Sequence, residues 1–126
     1  MIYTSYYANR NLYGGQLGLR LVGMSLKIPH WFKGGVFRQL APTPEILSIK
    51  TPEIYTRRYR DEVLSELDPL RVAGVLDNSV LLCWESPGKF CHRHIVARWL
   101  EDATGCEVPE FGRKTTGVQR YIEFPD

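Results

Sequence analysis

Five consecutive apolar residues, Val80-Leu81-Leu82-Cys83-Trp84, stand between Asn78-Ser79 and Ser86-Pro87-Gly88 with no polar alternation. The run is far short of the roughly 20 residues that a membrane span requires, and it lacks the two-residue period of a half-exposed strand. It fits a strand covered on both faces, the kind that sits inside a parallel sheet. Beyond it, Ile95, Val96, Trp99, Leu100 and Ala103 recur at helical spacing within residues 91–103, and Gly105 supplies the stop. Strand, short loop and helix therefore follow one another, which is the repeating unit of α/β proteins.

The remaining punctuation comes from Gly and Pro. Residues 2–8 are rich in aromatic and β-branched types and read as a buried strand, followed by turn chemistry over 9–15. Residues 19–25 form the second strand candidate. Between 29 and 52 there are four prolines and Gly34-Gly35, so this stretch reads as an irregular loop with at most a short turn near Thr43-Pro44-Glu45. Loops of this length in a small domain are commonly functional, and this region carries Lys27, His30, Trp31, Lys33 and Arg38. Thr51-Pro52-Glu53 begins a helix predicted over 52–67, with Tyr55, Tyr59, Val63 and Leu67 on one stripe. Its Arg57, Arg58, Arg60, Asp61 and Glu62 read as a solvated face. Asp68-Pro69 caps a second helix through Val75, and Glu107-Val108 and residues 119–124 are weaker strand candidates. The expectation is a single compact α/β domain over residues 1–126, with a mainly parallel sheet flanked by helices in a Rossmann-like three-layer arrangement.

The 126 residues suit one domain, and the 44% apolar and 24% charged content exclude disorder and low-complexity architectures. The start of the chain has no basic region followed by an apolar run, so no secretory signal is read there and a cytoplasmic location is expected. Three cysteines, Cys83, Cys91 and Cys106, are too few for a disulfide framework, and reduced thiols are expected. The net charge of +2 conceals a division: nine basic and two acidic residues up to position 60, seven and twelve beyond it. Such asymmetry can attract phosphates, although within one compact domain the two halves can also neutralise each other.

The chemistry concentrates in Leu81-Leu82-Cys83-Trp84-Glu85-Ser86-Pro87-Gly88-Lys89-Phe90-Cys91-His92-Arg93-His94. This loop runs from a strand's carboxyl end to a helix N-terminus, where α/β sheets bind ligands and where unpaired N–H groups favour anions. Three chemistries suit these residues. Cys91 could be a thiolate nucleophile activated by the helix terminus and by His92 or His94. A phosphatase-type loop is excluded, because Cys91 and Arg98 stand one residue too far apart and Arg98 falls within the helix. Cys83, Cys91, His92 and Glu85 are zinc-ligand types, but their spacing is not a common ligand pair, so no metal and no cofactor is expected. Without covalent chemistry, Arg93 and the helix N-terminus could hold a nucleotide or other phosphate. Ordinary roles compete: Cys83 and Cys106 as core packing, and Cys91-His92-Arg93 as helix capping.

These residues resemble the family called domain of unknown function 488. The resemblance runs over Thr4-Ser5-Tyr6-Tyr7-Ala8, Pro29-His30-Trp31-Phe32, Leu40-Ala41-Pro42-Thr43, residues 59–64, the 81–93 motif and Trp99-Leu100. It implies a compact α/β domain and gives no established activity. It marks Ser5, Tyr6, Cys83, Glu85, Cys91, His92 and Arg93 as matching polar positions, with Lys27 as the basic residue after the second strand. If the first strand neighbours the 80–84 strand, Ser5, Glu85 and the Cys91 turn would form one pocket, with Tyr6, Tyr7 or Trp31 able to stack on a base.

The expected function is that of an enzyme acting on a nucleotide or nucleic-acid-derived, phosphate-containing substrate at residues 80–98. Cys91, Glu85 and His92 are its candidate catalytic residues, and Ser5, Tyr6, Lys27, Cys83 and Arg93 its candidate substrate-binding residues. The alternative is a non-catalytic module that binds a nucleotide, nucleic acid or protein through its basic, aromatic loop. No membrane partner is expected.

Overall fold

In the computed structural model, the apolar run becomes β4, Ser79–Cys83, and all five residues are buried. The structure describes residues 1–14, 17–86 and 89–112, together with the strands Lys114–Thr115 and Arg120–Tyr121. Parallel strands flank β4 on both sides: β1 (Ile2–Tyr6) pairs Ser5 with Leu82, and β2 (Arg20–Gly23) pairs Val22 with Leu81. β3 (Gly35–Val36) extends the sheet beyond β2, so the order is β1-β4-β2-β3 with every pairing parallel. This is the α/β architecture that an unalternating strand followed by a helix predicts. No helix among the described residues is long and apolar enough to cross a membrane.

The two faces of the sheet are covered differently. On one side, Ile2, Val22, Met24 and Leu81 pack against α1 (Pro44–Leu47), α2 (Pro52–Glu62), α3 (Pro69–Val75) and α4 (His92–Thr104) through Ile46, Tyr59, Val72, Val96 and Leu100. On the other, Val80 and Leu82 pack against Tyr7, Leu12 and Phe111, with Tyr3, Leu21 and Phe32 around them. The third layer is thus built from loop and the 3-10 turn Arg10–Leu12. Adjacent β4 residues face opposite sides, so both layers converge on the one unalternating strand.

Local signals account for three of the helix boundaries. The Thr43 hydroxyl accepts from the Ile46 N–H, and the Asp68 carboxylate accepts from the Leu70 N–H, each with proline at the start of its helix. Gly105 ends α4 at φ +72°, a left-handed conformation that an L side chain resists. The helix predicted to reach residue 67 stops at Glu62 and tightens into the 3-10 turn Leu64–Glu66. Val63 and Leu64 are both buried at this change of winding.

Other elements differ from expectation because pairing partners decide short strands. Gly35–Val36 lies within the stretch read as loop, and β2 draws it into the sheet. Glu107-Val108 is not a strand; the chain pairs a little later, where the Thr4 N–H donates to Pro109 O (3.0 Å) and the Phe111 N–H to Thr4 O (2.7 Å). That segment closes the free edge of β1. Within the candidate strand at 119–124, Arg120–Tyr121 forms β6 antiparallel to β5 (Lys114–Thr115), and the rest lies outside the described residues.

Candidate functional site

A pocket of about 320 Å³ opens at the carboxyl edge of the sheet, where the chain leaves β2 and β4 and enters α4. Ser25, Leu26 and Lys27 come from the end of β2, Cys83, Trp84 and Glu85 from the end of β4, and Phe90, Cys91 and His92 from the start of α4. The long 29–52 stretch contributes Pro42, Leu47 and Ile49, and α2 contributes Tyr55. The carboxyl edge of the sheet, where a ligand site is expected in an α/β fold, is therefore where the chemistry-bearing residues meet.

Of the expected site residues, Lys27, Cys83, Glu85, Cys91 and His92 line this pocket. Lys27 and Glu85 are exposed at the rim, whereas Cys83, Cys91 and His92 are buried at its base. The structure joins Cys83 and Cys91 in a disulfide, so the expectation of three reduced thiols is corrected for this pair; Cys106 is free and exposed. The end of β4 and the N-cap of α4 are neighbours in space although they stand eight positions apart in the chain. The 80–98 motif also contains Pro87 and Gly88, which lie outside the described residues.

His92 is oriented by its surroundings. Its Nε2 lies 2.8 Å from Met24 O, which only accepts, so Nε2 carries the proton. The Nδ1 lone pair is left facing Cys91 Sγ at 3.8 Å. Burial pushes the imidazole pKa down to about 4, with the Arg93 and His94 charges adding to the effect and the Met24 hydrogen bond opposing it. At neutral pH His92 is therefore a neutral imidazole rather than an imidazolium, with its unprotonated Nδ1 beside the Cys91 sulfur. His94, the other candidate activator of Cys91, is exposed and does not line the pocket.

Arg93 is withheld from a phosphate. Its side chain is 0% exposed, its Nε and a terminal nitrogen hold both oxygens of Glu110 (3.1 and 2.9 Å), and its other terminal nitrogen donates to Glu85 O (2.6 Å) and Cys83 Sγ (3.1 Å). Glu110 in turn accepts from the Thr4 hydroxyl. The guanidinium braces β4, α4 and the segment along β1, and it fixes the Glu85 backbone at the rim. Ser5 is also corrected: β1 does neighbour β4, but Ser5 pairs with Leu82, is fully buried, and its hydroxyl accepts from Asn9 Nδ2 at 3.0 Å. Alternation along β1 turns it to the face away from Cys83. Tyr6 does not line the pocket either.

The aromatic walls are also other than expected. Tyr7 is buried on the far face, with its hydroxyl bonded to Ser25 Oγ (2.6 Å), and an added Cβ on Gly23 would meet that hydroxyl at 2.6 Å. Trp31 packs edge-on against Tyr13. The pocket is walled instead by Trp84, whose Nε1–H donates to Lys27 O (2.8 Å), and by Tyr55 and Phe90, whose rings meet edge to face at 5.0 Å. Burial pushes the Tyr55 phenol up to about 12, so it stays protonated. Trp84 and Phe90 adjoin the cysteines in sequence, which is the signal that could have placed them; Tyr55 reaches the pocket only through the packing of α2.

The chain matches no family model, no curated protein and no solved structure.

The state of His92 makes stability pH-dependent. Its folded pKa of about 4 lies below the unfolded value near 6.5, so the unfolded chain binds the extra proton first. Its contribution is complete above about pH 6.5 and is lost as the pH falls toward 4. Urea unfolding at pH 5 should give a stability about 2 kcal/mol lower than at pH 7 on this account. His92→Gln should flatten that slope, and an unchanged slope in this variant would assign the acid sensitivity to other groups.

Proposed function

We propose that the protein is an enzyme acting on a nucleotide or a related phosphate-containing small molecule in this pocket. The observation that carries the reading is the convergence of Lys27, Cys83, Glu85, Cys91 and His92 on one cavity at the carboxyl edge of a parallel sheet. Its size suits a small ligand, and Trp84 and Tyr55 offer faces for a planar base. Lys27 and the first-turn N–H groups of α4, which has no side-chain cap at Cys91, favour a phosphate at one end. Cys91, once reduced, or Glu85 supplies the nucleophile or base. A cytoplasmic setting belongs to the same reading, because there the Cys83–Cys91 pair would be held as thiols. The resemblance to domain of unknown function 488 is part of the proposal too, since four of its polar positions, Cys83, Glu85, Cys91 and His92, line the pocket.

Nucleotides titrated into the reduced protein should bind and quench Trp84 fluorescence, and Lys27→Ala should weaken binding about tenfold through loss of a charge-assisted contact. Turnover should disappear in either Cys91→Ser or Glu85→Gln. Binding without turnover in the wild type would favour the non-catalytic module. Failure of a panel of nucleoside mono-, di- and triphosphates to bind at all would sink the proposal.

A further inference from the structure

Among the described residues, one cluster of metal-ligand side chains stands out: Cys83 Sγ, Cys91 Sγ and a ring nitrogen of His92 lie within 4.8 Å of one another, and all three residues are buried. We propose that the reduced protein binds one divalent cation of the zinc class through Cys83 Sγ, Cys91 Sγ and His92 Nδ1, with a fourth coordination position open to the pocket. The inference rests on the cluster alone and does not require the pocket to take a nucleotide.

Three features carry it. First, the Cys83 and Cys91 Cα atoms are 7.4 Å apart, beyond the about 4.4–6.8 Å that a disulfide usually spans. Two thiolates sharing a tetrahedral ion at about 2.3 Å each hold their sulfurs roughly 3.8 Å apart and so reach across a wider backbone gap. Second, the Nε2–H of His92 is committed to Met24 O, which aims the Nδ1 lone pair at the sulfurs. A backbone carbonyl holding the remote N–H is the usual support of a metal-bound imidazole. Third, Arg93 donates to Cys83 Sγ at 3.1 Å while Glu110 balances its charge, which stabilises a thiolate without leaving an unpaired buried cation.

The donor set selects the ion. Two thiolates and one imidazole suit zinc-like cations and not magnesium or calcium, which take oxygen ligands. Three protein ligands with an opening toward a cavity follow the pattern of a reactive zinc site, whereas a structural site closes its fourth position with protein. Glu85 lines the same cavity. With an ion bound, Cys91 is a ligand, and the base of the reaction proposed above is Glu85.

The disulfide and the ion compete for the same two sulfurs. Reduction by a phosphine converts the disulfide to two thiols while the phosphine takes up an oxygen from water. Metal binding then releases one proton from each thiol.

The test uses the full chain, reduced with excess phosphine under nitrogen and titrated with Co²⁺. One equivalent should bind and develop thiolate-to-cobalt charge-transfer bands with the intense visible bands of a tetrahedral ion, and Zn²⁺ should bleach them. Cys83→Ser, Cys91→Ser and His92→Ala should each weaken Co²⁺ binding at least about 100-fold, more than loss of a supporting residue does, whereas Cys106→Ser should leave it unchanged. Where a variant fails to fold, alkylation of the wild type decides: Zn²⁺ should slow iodoacetamide at Cys83 and Cys91 at least about tenfold and leave Cys106 unaffected. Absence of the charge-transfer bands in protein with three titratable thiols, their persistence in folded Cys91→Ser, or equal alkylation rates with and without Zn²⁺ would overturn the proposal.

Discussion

Replacing Arg93 with Met should lower the unfolding free energy by about 3–5 kcal/mol, read from urea denaturation at neutral pH. The substitution removes a cation buried completely and leaves the Glu110 carboxylate, whose side chain is only 10% exposed, without its partner. It also strips a donor from Glu85 O and Cys83 Sγ. The loss measures an uncompensated buried charge more than the strength of the ion pair, because bringing both charges out of water is itself costly. Arg93→Met combined with Glu110→Leu should therefore recover much of the loss. If the double variant were as unstable as the sum of the single ones, the pair would not be acting as a coupled unit. The same variant bears on the site, since the Glu85 backbone is held by this guanidinium.

Tyr59→Ala should cost about as much, roughly 3–5 kcal/mol. Tyr59 is fully buried at the junction of α2 with the sheet-facing core, its hydroxyl donates to Leu40 O, and its ring packs against Tyr55 (6.3 Å) and His92 (5.5 Å). Truncation opens a cavity behind the pocket and leaves a buried carbonyl unpaired. Tyr59→Phe separates the two effects and should cost about 1–3 kcal/mol, the penalty of the lost hydrogen bond alone. A Tyr59→Ala cost below about 1 kcal/mol would mean that α2 repacks freely and does not define the pocket wall. Because the ring touches His92, Tyr59→Ala should also raise the fluctuation of His92, visible as faster exchange of its Nε2–H in NMR.

The interior strand and the helix after it were legible because both are set by local composition. Val80-Leu81-Leu82 has no polar member, and the α4 stripe ends at a glycine whose left-handed φ the sequence announces. The location of the pocket was legible for a similar reason: it lies where a strand hands over to a helix. What local signals could not show is which side of the sheet a residue faces. Ser5 and Cys83 lie on neighbouring strands at nearly the same level, yet the register Ser5 to Leu82 turns Ser5 to the loop-covered face and Cys83 to the helix-covered one. Arg93 illustrates a second limit. An arginine at a helix start reads as an anion-binding residue, and only the return of the chain along β1, bringing Glu110 to it, converts it into an internal brace.

By itself the sequence determined a parallel α/β sheet, the order of its strong elements and the motif in which reactive residues accumulate, because these follow from apolar period, caps and turn residues within a few positions of one another. Tertiary structure alone decided the two-residue strand β3, the closure of the β1 edge, the aromatic wall formed by Tyr55, and the meeting of Cys83 with Cys91 and the Nδ1 of His92. Each of those depends on contacts between segments distant in the chain, and their energies arise only once the sheet has brought the segments together.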